Sequence, residues 1–496
     1  MTKKAGYIII FILYLILFFI TYYVLYGCIL IDDDLLCTLF PMGEGVYNFS
    51  IKDVINNPDH GFLFSGVMNV IAGNKIPLIF NLNIQDYHMS AGAFIRSMYV
   101  VIQVYIFSKI LFVKKNGTLI LKILAITLFY MSIFYILCKY AYDIAGWTAF
   151  VRMMLPLLIV SGVIYYLNYA LAFEKELTRN QHTVLYVLMF LGGISGEIPI
   201  MFLTFLILLC LFIYKKRFLV KSSIIFFIGA IVTFTRKTFQ TNVMSKLDIN
   251  NISDFFEKKP VIFGDINNIL NDFFKDVAVE NIAPVLIIIL FIILYLYGNK
   301  RLGIEKRQFL FLNVNFISII LSVFVLIVIG RTPEYYEADY WFSHPDTKTS
   351  INMLLLISCI VIFSFFYKYF ESIKISVIVL LMNIVLFFSF RKVEVYWEYK
   401  VTNFYEAMYC LKQDIRVRML RNYALYIVAM KYQGNEAEKD YFICPNNYIY
   451  RQIKFREYEE CHEIEKNYDE EIRFINLYKK YISLKPVKFN IEEKGI

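Results

Sequence analysis

Long apolar blocks, most of them close to 20 residues, recur through the first 390 residues of the chain and alternate with polar linkers. A helix needs about 20 apolar residues to cross the roughly 30 Å hydrocarbon core of a bilayer. The pattern therefore predicts an all-α integral membrane fold. The predicted helices are about 6–31, 91–113, 118–138, 148–171, 183–195, 198–214, 219–235, 283–298, 309–330, 350–367 and 375–390.

Basic residues cluster in the short linkers on one side of these helices. The linkers concerned are 1–5, 114–118, 172–182, 215–221, 299–308 and 368–374. Short cytoplasmic loops are enriched in Lys and Arg, so the pattern places the N-terminus in the cytoplasm and predicts eleven spans of the plasma membrane. The same clustering accounts for the net charge of +9 without a nucleic-acid partner.

The predicted outer side has four substantial segments, at about 32–90, 236–282, 331–349 and 391–496. The first outer loop, 32–90, contains a half-apolar stretch at Gly61–Leu82 that is typical of an interfacial or re-entrant helix. Residues 391–496 predict a small extracytoplasmic α or α+β domain that follows the membrane domain, 1–390. One disulfide can form in this domain, among three cysteines whose spacing does not select the pair: Cys410, Cys444 and Cys461.

Ionisable residues near the predicted outer boundary are candidates for a functional site, because charge at membrane depth is costly. Asp32, Asp33 and Asp34 follow the first helix. One of these carboxylates can act as a general base towards an acceptor hydroxyl, and another can bind a cation, because adjacent carboxylates repel and their pKa values separate. The alternative is a solvated helix end that carries no chemistry.

Arginines near the same boundary suit an anionic lipid phosphate, since a guanidinium offers a planar fork to phosphate oxygens. The candidates are Arg96, Arg152 and Arg331, and snorkelling to the interface is the alternative. Glu197 lies where two half-length helices meet, a place that commonly lines a site in membrane proteins. An exposed turn carboxylate would have the same sequence.

The linker that follows Arg331 combines charge with aromatic side chains, including Trp341 and His344. Such a segment fits the headgroup layer, either beside a substrate or as a passive aromatic belt. His60 could bind a divalent cation such as Mg²⁺ or Mn²⁺ together with Asp32, although ordinary loop histidines look the same. The sequence contains no Walker A, GxSxG or HExxH motif.

This layout resembles the GT-C class of membrane glycosyltransferases. The resemblance rests on the cytoplasmic N-terminus, the outer first loop that opens with Ile31–Asp34, the many spans and the C-terminal outer domain. It implies a polyprenyl-phosphate-linked sugar donor, a base or metal-associated carboxylate at Asp33 or Asp34, and Arg331 near the phosphate. The WWD-type run of the oligosaccharyltransferase branch is absent from this sequence.

The first hypothesis is therefore a glycosyltransferase that moves a sugar from a polyprenyl-phosphate carrier to a glycan, lipid or protein acceptor of the cell envelope. A transporter or flippase of a lipid-linked glycan is the second, and a glycan polymerase or ligase is the third. The centres of the predicted spans are almost purely apolar, whereas transporters usually bind their cargo near the bilayer midplane. This contrast favours the enzyme.

Overall fold

The computed structural model describes residues 3–26, 63–68, 71–72, 76, 80, 87–139, 147, 150–195, 197–234, 305–330, 345–366, 368, 370–390, 394–397 and 400–403. The α-helices are α1 (Lys3–Leu25), α2 (Leu63–Met68), α3 (Ala93–Leu111), α4 (Leu119–Lys139), α5 (Leu155–Leu167), α6 (Arg179–Gly193), α7 (Glu197–Tyr214), α8 (Arg217–Phe234), α9 (Lys306–Gly330), α10 (Pro345–Phe365) and α11 (Ile373–Phe390). The π-helical turns whose full bounds fall within the described residues are π1 (His88–Gly92), π2 (Phe150–Met154) and π3 (Asn168–Ala172). The two strands are β1 (Glu394–Trp397) and β2 (Lys400–Asn403).

The apolar blocks form helices close to where the sequence predicts them, which confirms the helical fold of the described residues up to 390. Helix α4, for example, differs from the predicted 118–138 by one residue at each end. The predicted helix at 283–298 lies outside the described residues. The block 148–171 forms one continuous helical stretch over residues 150–172, in which π2 and π3 flank α5.

The helices pack as a bundle in which α3 and α5 are central. Helix α3 contacts α1, α4, α5 and α10, while α5 also contacts α6 and α7. Helices α1 and α3 run antiparallel, since Phe18 stacks edge-to-face on Phe94 at 5.1 Å and Tyr14 donates to Ser108 Oγ at 3.2 Å.

Four helical stretches of the described chain are long and apolar enough to cross a membrane: Lys4–Leu25, Ser90–Leu111, Leu119–Leu137 and Leu155–Ala172. Large apolar side chains on α1 are exposed, for instance Phe11 at 63% and Phe19 at 62%. Soluble proteins rarely leave such a continuous apolar face in water. These features are compatible with a membrane protein.

The 391–496 segment begins with an antiparallel hairpin in which Glu394 is opposite Asn403 and Trp397 is opposite Lys400. The rest of the predicted C-terminal domain lies outside the described residues, as do Cys410, Cys444 and Cys461. The hairpin follows α11 directly along the chain.

Candidate functional site

Three of the sequence-predicted site residues fall within the described helices: Arg96, Arg152 and Glu197. The others lie outside the described residues; they are Asp32, Asp33, Asp34, His60, Arg331, Trp341 and His344. The described helical elements therefore hold three of the candidate residues.

Arg96 lies in the first turn of α3 and is 2% exposed. Its Nε donates to the carbonyl oxygen of Gly92, the last residue of π1, at 3.2 Å. A buried guanidinium stays charged and must be matched by acceptors. The depth of Arg96 argues against the snorkelling interpretation, because a snorkelling side chain carries its charge out to water.

Arg152 lies in the middle of π2, the irregular turn that leads into α5. The π-helical turn is a rare conformation that appears frequently at functional sites. Beneath it lies an aromatic cluster in which Phe150 contacts Tyr99 at 5.4 Å and Trp147 at 5.6 Å. All three rings are almost fully buried. This cluster fixes π2 against α3, one turn from Arg96.

Glu197 is the first residue of α7, immediately after the break that ends α6 at Gly193. The break is built from hydrogen bonds rather than left open: buried Ser195 donates its Oγ proton to the Gly192 oxygen at 2.7 Å. The backbone NH of Phe64 in α2 donates to the Ile194 oxygen at 3.1 Å. A piece of the predicted first outer loop is thus attached to the helix break.

These elements meet at one end of the bundle, which we call the site end. Helix α2 contacts π2, π2 contacts α10, and α3 begins beside the end of α1. The chain therefore gathers Arg96, Arg152 and Glu197 at the same end. Two of the undescribed candidates are tied to this end by sequence alone, since His344 immediately precedes α10 and Asp32 follows α1 by seven residues.

Tyr87, just before π1, is also buried at the site end, and burial raises the pKa of its hydroxyl. Within the described part of the chain no group of three His, Cys, Asp or Glu residues could hold a metal ion. The proposed cation ligands, Asp32 and His60, are not among those residues.

The sequence interpretation missed a set of polar side chains inside the bundle. Gln103, near the middle of α3, donates through Nε2 to Ser161 Oγ of α5 at 2.5 Å, and both residues are fully buried. Its Oε1 atom has no partner within the described chain. The amide oxygens of Asn315 in α9 and Asn352 in α10 are also buried without a hydrogen-bond partner within the described chain. In the sequence, the only sign of each of these residues was an amide side chain within an apolar block.

We call the opposite end of the bundle the basic end. Ion pairs connect its linkers to one another. Lys115 pairs with Glu371 at 3.0 Å, and Arg307 pairs with Glu174. Lys175 donates to the Val113 oxygen at 2.6 Å, and burial together with the charge of Lys114 lowers the pKa of Lys175.

Comparison with known proteins identified no relative of this chain. No family model, no curated protein and no solved structure matches it.

Proposed function

We propose that the chain is an eleven-span membrane protein, with its N-terminus in the cytoplasm and residues 391–496 outside, that acts as a polyprenyl-phosphate-sugar-dependent glycosyltransferase. Its site would face the extracytoplasmic side of the plasma membrane. The donor would be a membrane lipid, and the acceptor a glycan, lipid or protein of the cell envelope. The pattern of basic linkers supports the orientation.

The observation that carries the proposal is the buried guanidinium of Arg96 between π1 and the aromatic cluster under π2. Ionisable residues at membrane depth are costly to bury and are therefore candidates for function by default. A phosphate carried on a lipid reaches this depth naturally, because its isoprenoid chain stays in the bilayer. The position of Arg96 therefore fits a lipid-phosphate donor better than a soluble nucleotide sugar.

In the proposed reaction the acceptor hydroxyl attacks the anomeric carbon of the donor sugar. Asp33 or Asp34 takes the hydroxyl proton as a general base. The new bond joins the acceptor oxygen to that carbon, while the bond from the carbon to the phosphate oxygen breaks. The bonding electron pair stays on the phosphate, whose charge Arg331, with Arg96 or Arg152, would stabilise in a low-dielectric site.

The remaining candidates have supporting roles in the proposal. Glu197, Trp341 and His344 would line the substrate cleft around the sugar and the isoprenoid. A divalent cation, Mg²⁺ or Mn²⁺, would be held by Asp32 with His60.

The decisive experiment measures binding of a short-chain polyprenyl-phosphate sugar to purified arginine variants. Lysine keeps the charge but loses the two-pronged contact. We expect Arg96→Lys, Arg152→Lys or Arg331→Lys to weaken binding by about tenfold, a loss of about 1.4 kcal/mol. The matched control is Arg307→Lys, at the second residue of α9 and therefore at the basic end.

Unchanged affinity in all three site variants would contradict the proposal, and so would equal losses in the control. Formation of a glycosylated acceptor must accompany binding. If the protein bound the donor but transferred no sugar to any of a panel of envelope acceptors, it would be a lipid-binding protein rather than an enzyme.

A flippase of a lipid-linked glycan is the second candidate, and the interior polar residues favour it. The buried pair of Gln103 and Ser161 lies about 12 Å along α3 from Leu111, at 1.5 Å per residue, which is close to the centre of the helix. The bundle interior is therefore less apolar than the sequence predicts. Reconstituted protein should translocate a fluorescent polyprenyl-phosphate sugar if this candidate is correct, and Gln103→Leu should slow the translocation.

A further inference from the structure

A compact group of cations stands apart from the ion pairs of the basic end. It comprises Arg179, Lys215, Lys216, Arg217 and Lys221, and we call it the basic patch. All five residues are exposed. Within the described residues none of the five forms an ion pair, whereas Lys114, Lys115 and Arg307 each have a carboxylate partner.

The basic patch is held together by the packing of α6 against α8. These helices run parallel, because His182 contacts Phe218 at 5.7 Å near their starts, and Gly193 meets Gly229 further along. Arg179 and Arg217 are the first residues of the two helices and therefore lie at the same end.

The turn between α7 and α8 adds two of the charges. It consists of Lys215 and Lys216 alone, and Lys215 adopts a left-handed backbone conformation with φ of 50°. The chain reverses within these two residues, which concentrates their ammonium groups beside Arg217. The nearest described carboxylates along the chain are Glu174, which pairs with Arg307, and Glu176.

An exposed apolar strip continues directly from the basic patch along α8. Arg217, Lys221, Ile224, Ile228 and Ile231 follow one another at spacings of three or four residues and share one face of the helix. The three isoleucines are 50–58% exposed. Exposed Val184, Val187 and Phe190 form a similar strip on α6.

We propose that the basic patch binds an anionic phospholipid, with the headgroup phosphate among the five cations and the acyl chains along the apolar strip of α8. The surface has the two-part chemistry of that ligand, an apolar length ending in concentrated positive charge. Basic pockets beside membrane helices bind anionic headgroups for this reason. A soluble polyanion would use the charge but leave the adjoining strip uncovered. The proposal depends on membrane insertion but not on glycosyltransferase activity, because the patch lies at the opposite end from the candidate site.

The test compares lipid retention by the full chain in two matched variants. The patch variant carries Lys215→Gln, Lys216→Gln, Arg217→Gln and Lys221→Gln. The control variant carries Lys4→Gln, Lys306→Gln, Lys368→Gln and Lys374→Gln, which removes the same charge from exposed residues of other basic linkers. Each purified protein is titrated with short-chain phosphatidylglycerol or phosphatidylcholine, and bound lipid is counted by native mass spectrometry.

The wild-type protein should prefer phosphatidylglycerol, and the patch variant should lose at least about tenfold in affinity for it. Each Lys or Arg near a membrane surface raises the affinity for anionic lipid by about fivefold. Removing four of them should therefore lower the affinity by well over tenfold. The control variant should retain the preference. Equal losses in both variants would mean that the net positive charge of the protein attracts the lipid, rather than the basic patch. That result would overturn the proposal.

Two further outcomes would also overturn it. One is displacement of the lipid by inorganic phosphate at equal concentration, which would mean that the apolar strip contributes nothing. The other is tight binding of a soluble polyanion to the patch at the expense of phosphatidylglycerol. If the fourfold variant fails to fold, as judged by gel filtration, Arg217→Gln with Lys221→Gln should give an intermediate loss of affinity, and no loss would count against the proposal.

Discussion

Replacing Gly193 by alanine places a methyl group inside the crossing of α6 and α8. The new Cβ would lie 2.8 Å from the backbone nitrogen of Ala230 and closer still to the carbonyl oxygen of Phe226. Both neighbours are backbone atoms, so no side-chain rotation can relieve the contact. Thr233 also donates its Oγ proton to the Gly193 oxygen at 3.2 Å across the same crossing.

The magnitude follows from these distances. Carbon and oxygen atoms approach comfortably at about 3.3 Å, and the distance from the new Cβ to the Phe226 oxygen is shorter than this by about 1 Å, so the two helices must separate by about that much. Overpacking costs about 1–3 kcal/mol, and this contact belongs at the upper end because both neighbours are backbone atoms. Loss of the Thr233 bond to Gly193 adds little, because its hydroxyl keeps the Gly229 oxygen as an acceptor at 3.2 Å. Alanine recovers about 0.5–1 kcal/mol of backbone entropy. We therefore expect Gly193→Ala to lower the free energy of unfolding by about 2 kcal/mol.

Gly162→Ala in α5 is the matched control. Its Cβ would lie 2.9 Å from Leu188 Cδ1, the end of a flexible side chain that can turn away. The free energy of unfolding should change by less than about 1 kcal/mol, because the entropy gain offsets the repacking.

Buried thiols provide the assay for both variants. Cys210 in α7 and Cys359 in α10 are buried, so a thiol-reactive dye reaches them only when the bundle opens. The measurement uses purified protein in detergent with the other six cysteines changed to serine. Gly193→Ala should unfold at a lower temperature than Gly162→Ala. Equal melting temperatures would refute the assignment of this crossing as a tight backbone contact.

Three predictions concern residues outside the described structure. Asp33→Asn or Asp34→Asn should lower sugar transfer by about 10²–10⁴-fold without changing protein abundance; near-normal transfer in both variants would make the acidic run a helix end. Arg331→Ala should weaken carrier binding more than Arg331→Lys, and unchanged affinity in Arg331→Ala would assign the phosphate to another residue. A reporter active only in the cytoplasm should be silent when fused after Ile496, whereas strong activity would remove one span from the count.

Helix positions were predictable because they depend on local composition. An apolar block of about 20 residues gives nearly the same helix whatever surrounds it, and the bounds of α4 agree with prediction to one residue. The break between α6 and α7 was predictable for a similar reason, since Gly192, Gly193, Gly196 and Pro199 weaken a helix locally.

The π-helical turns and the interior hydrogen bonds were not predictable in this way. A π turn adds one residue to a helical turn, and tertiary packing, here the contacts of Phe150 with Tyr99 and Trp147, decides where it forms. The pairing of Gln103 with Ser161 depends on which helices become neighbours, and nothing in the local spacing of either residue determines that.

The two ends of the bundle differ in how their described linkers are held. At the basic end Lys114, Lys115 and Arg307 pair with carboxylates of other linkers, joining four connections into one network. Each pair is partly exposed and stabilises the fold by at most about 1 kcal/mol, but together they restrict the relative movement of the helix ends.

The site end lacks an equivalent set of ion pairs within the described residues and instead contains π1, π2 and the break before Glu197. Irregular turns can change conformation with less loss of hydrogen bonding than a regular helix. Under the proposed function a lipid-linked donor would enter sideways from the bilayer, and helix ends at the site would have to part to admit it. Two of the π turns of the described chain lie at the end that holds Arg96 and Arg152, and π3 lies at the basic end, where the ion pairs join the linkers.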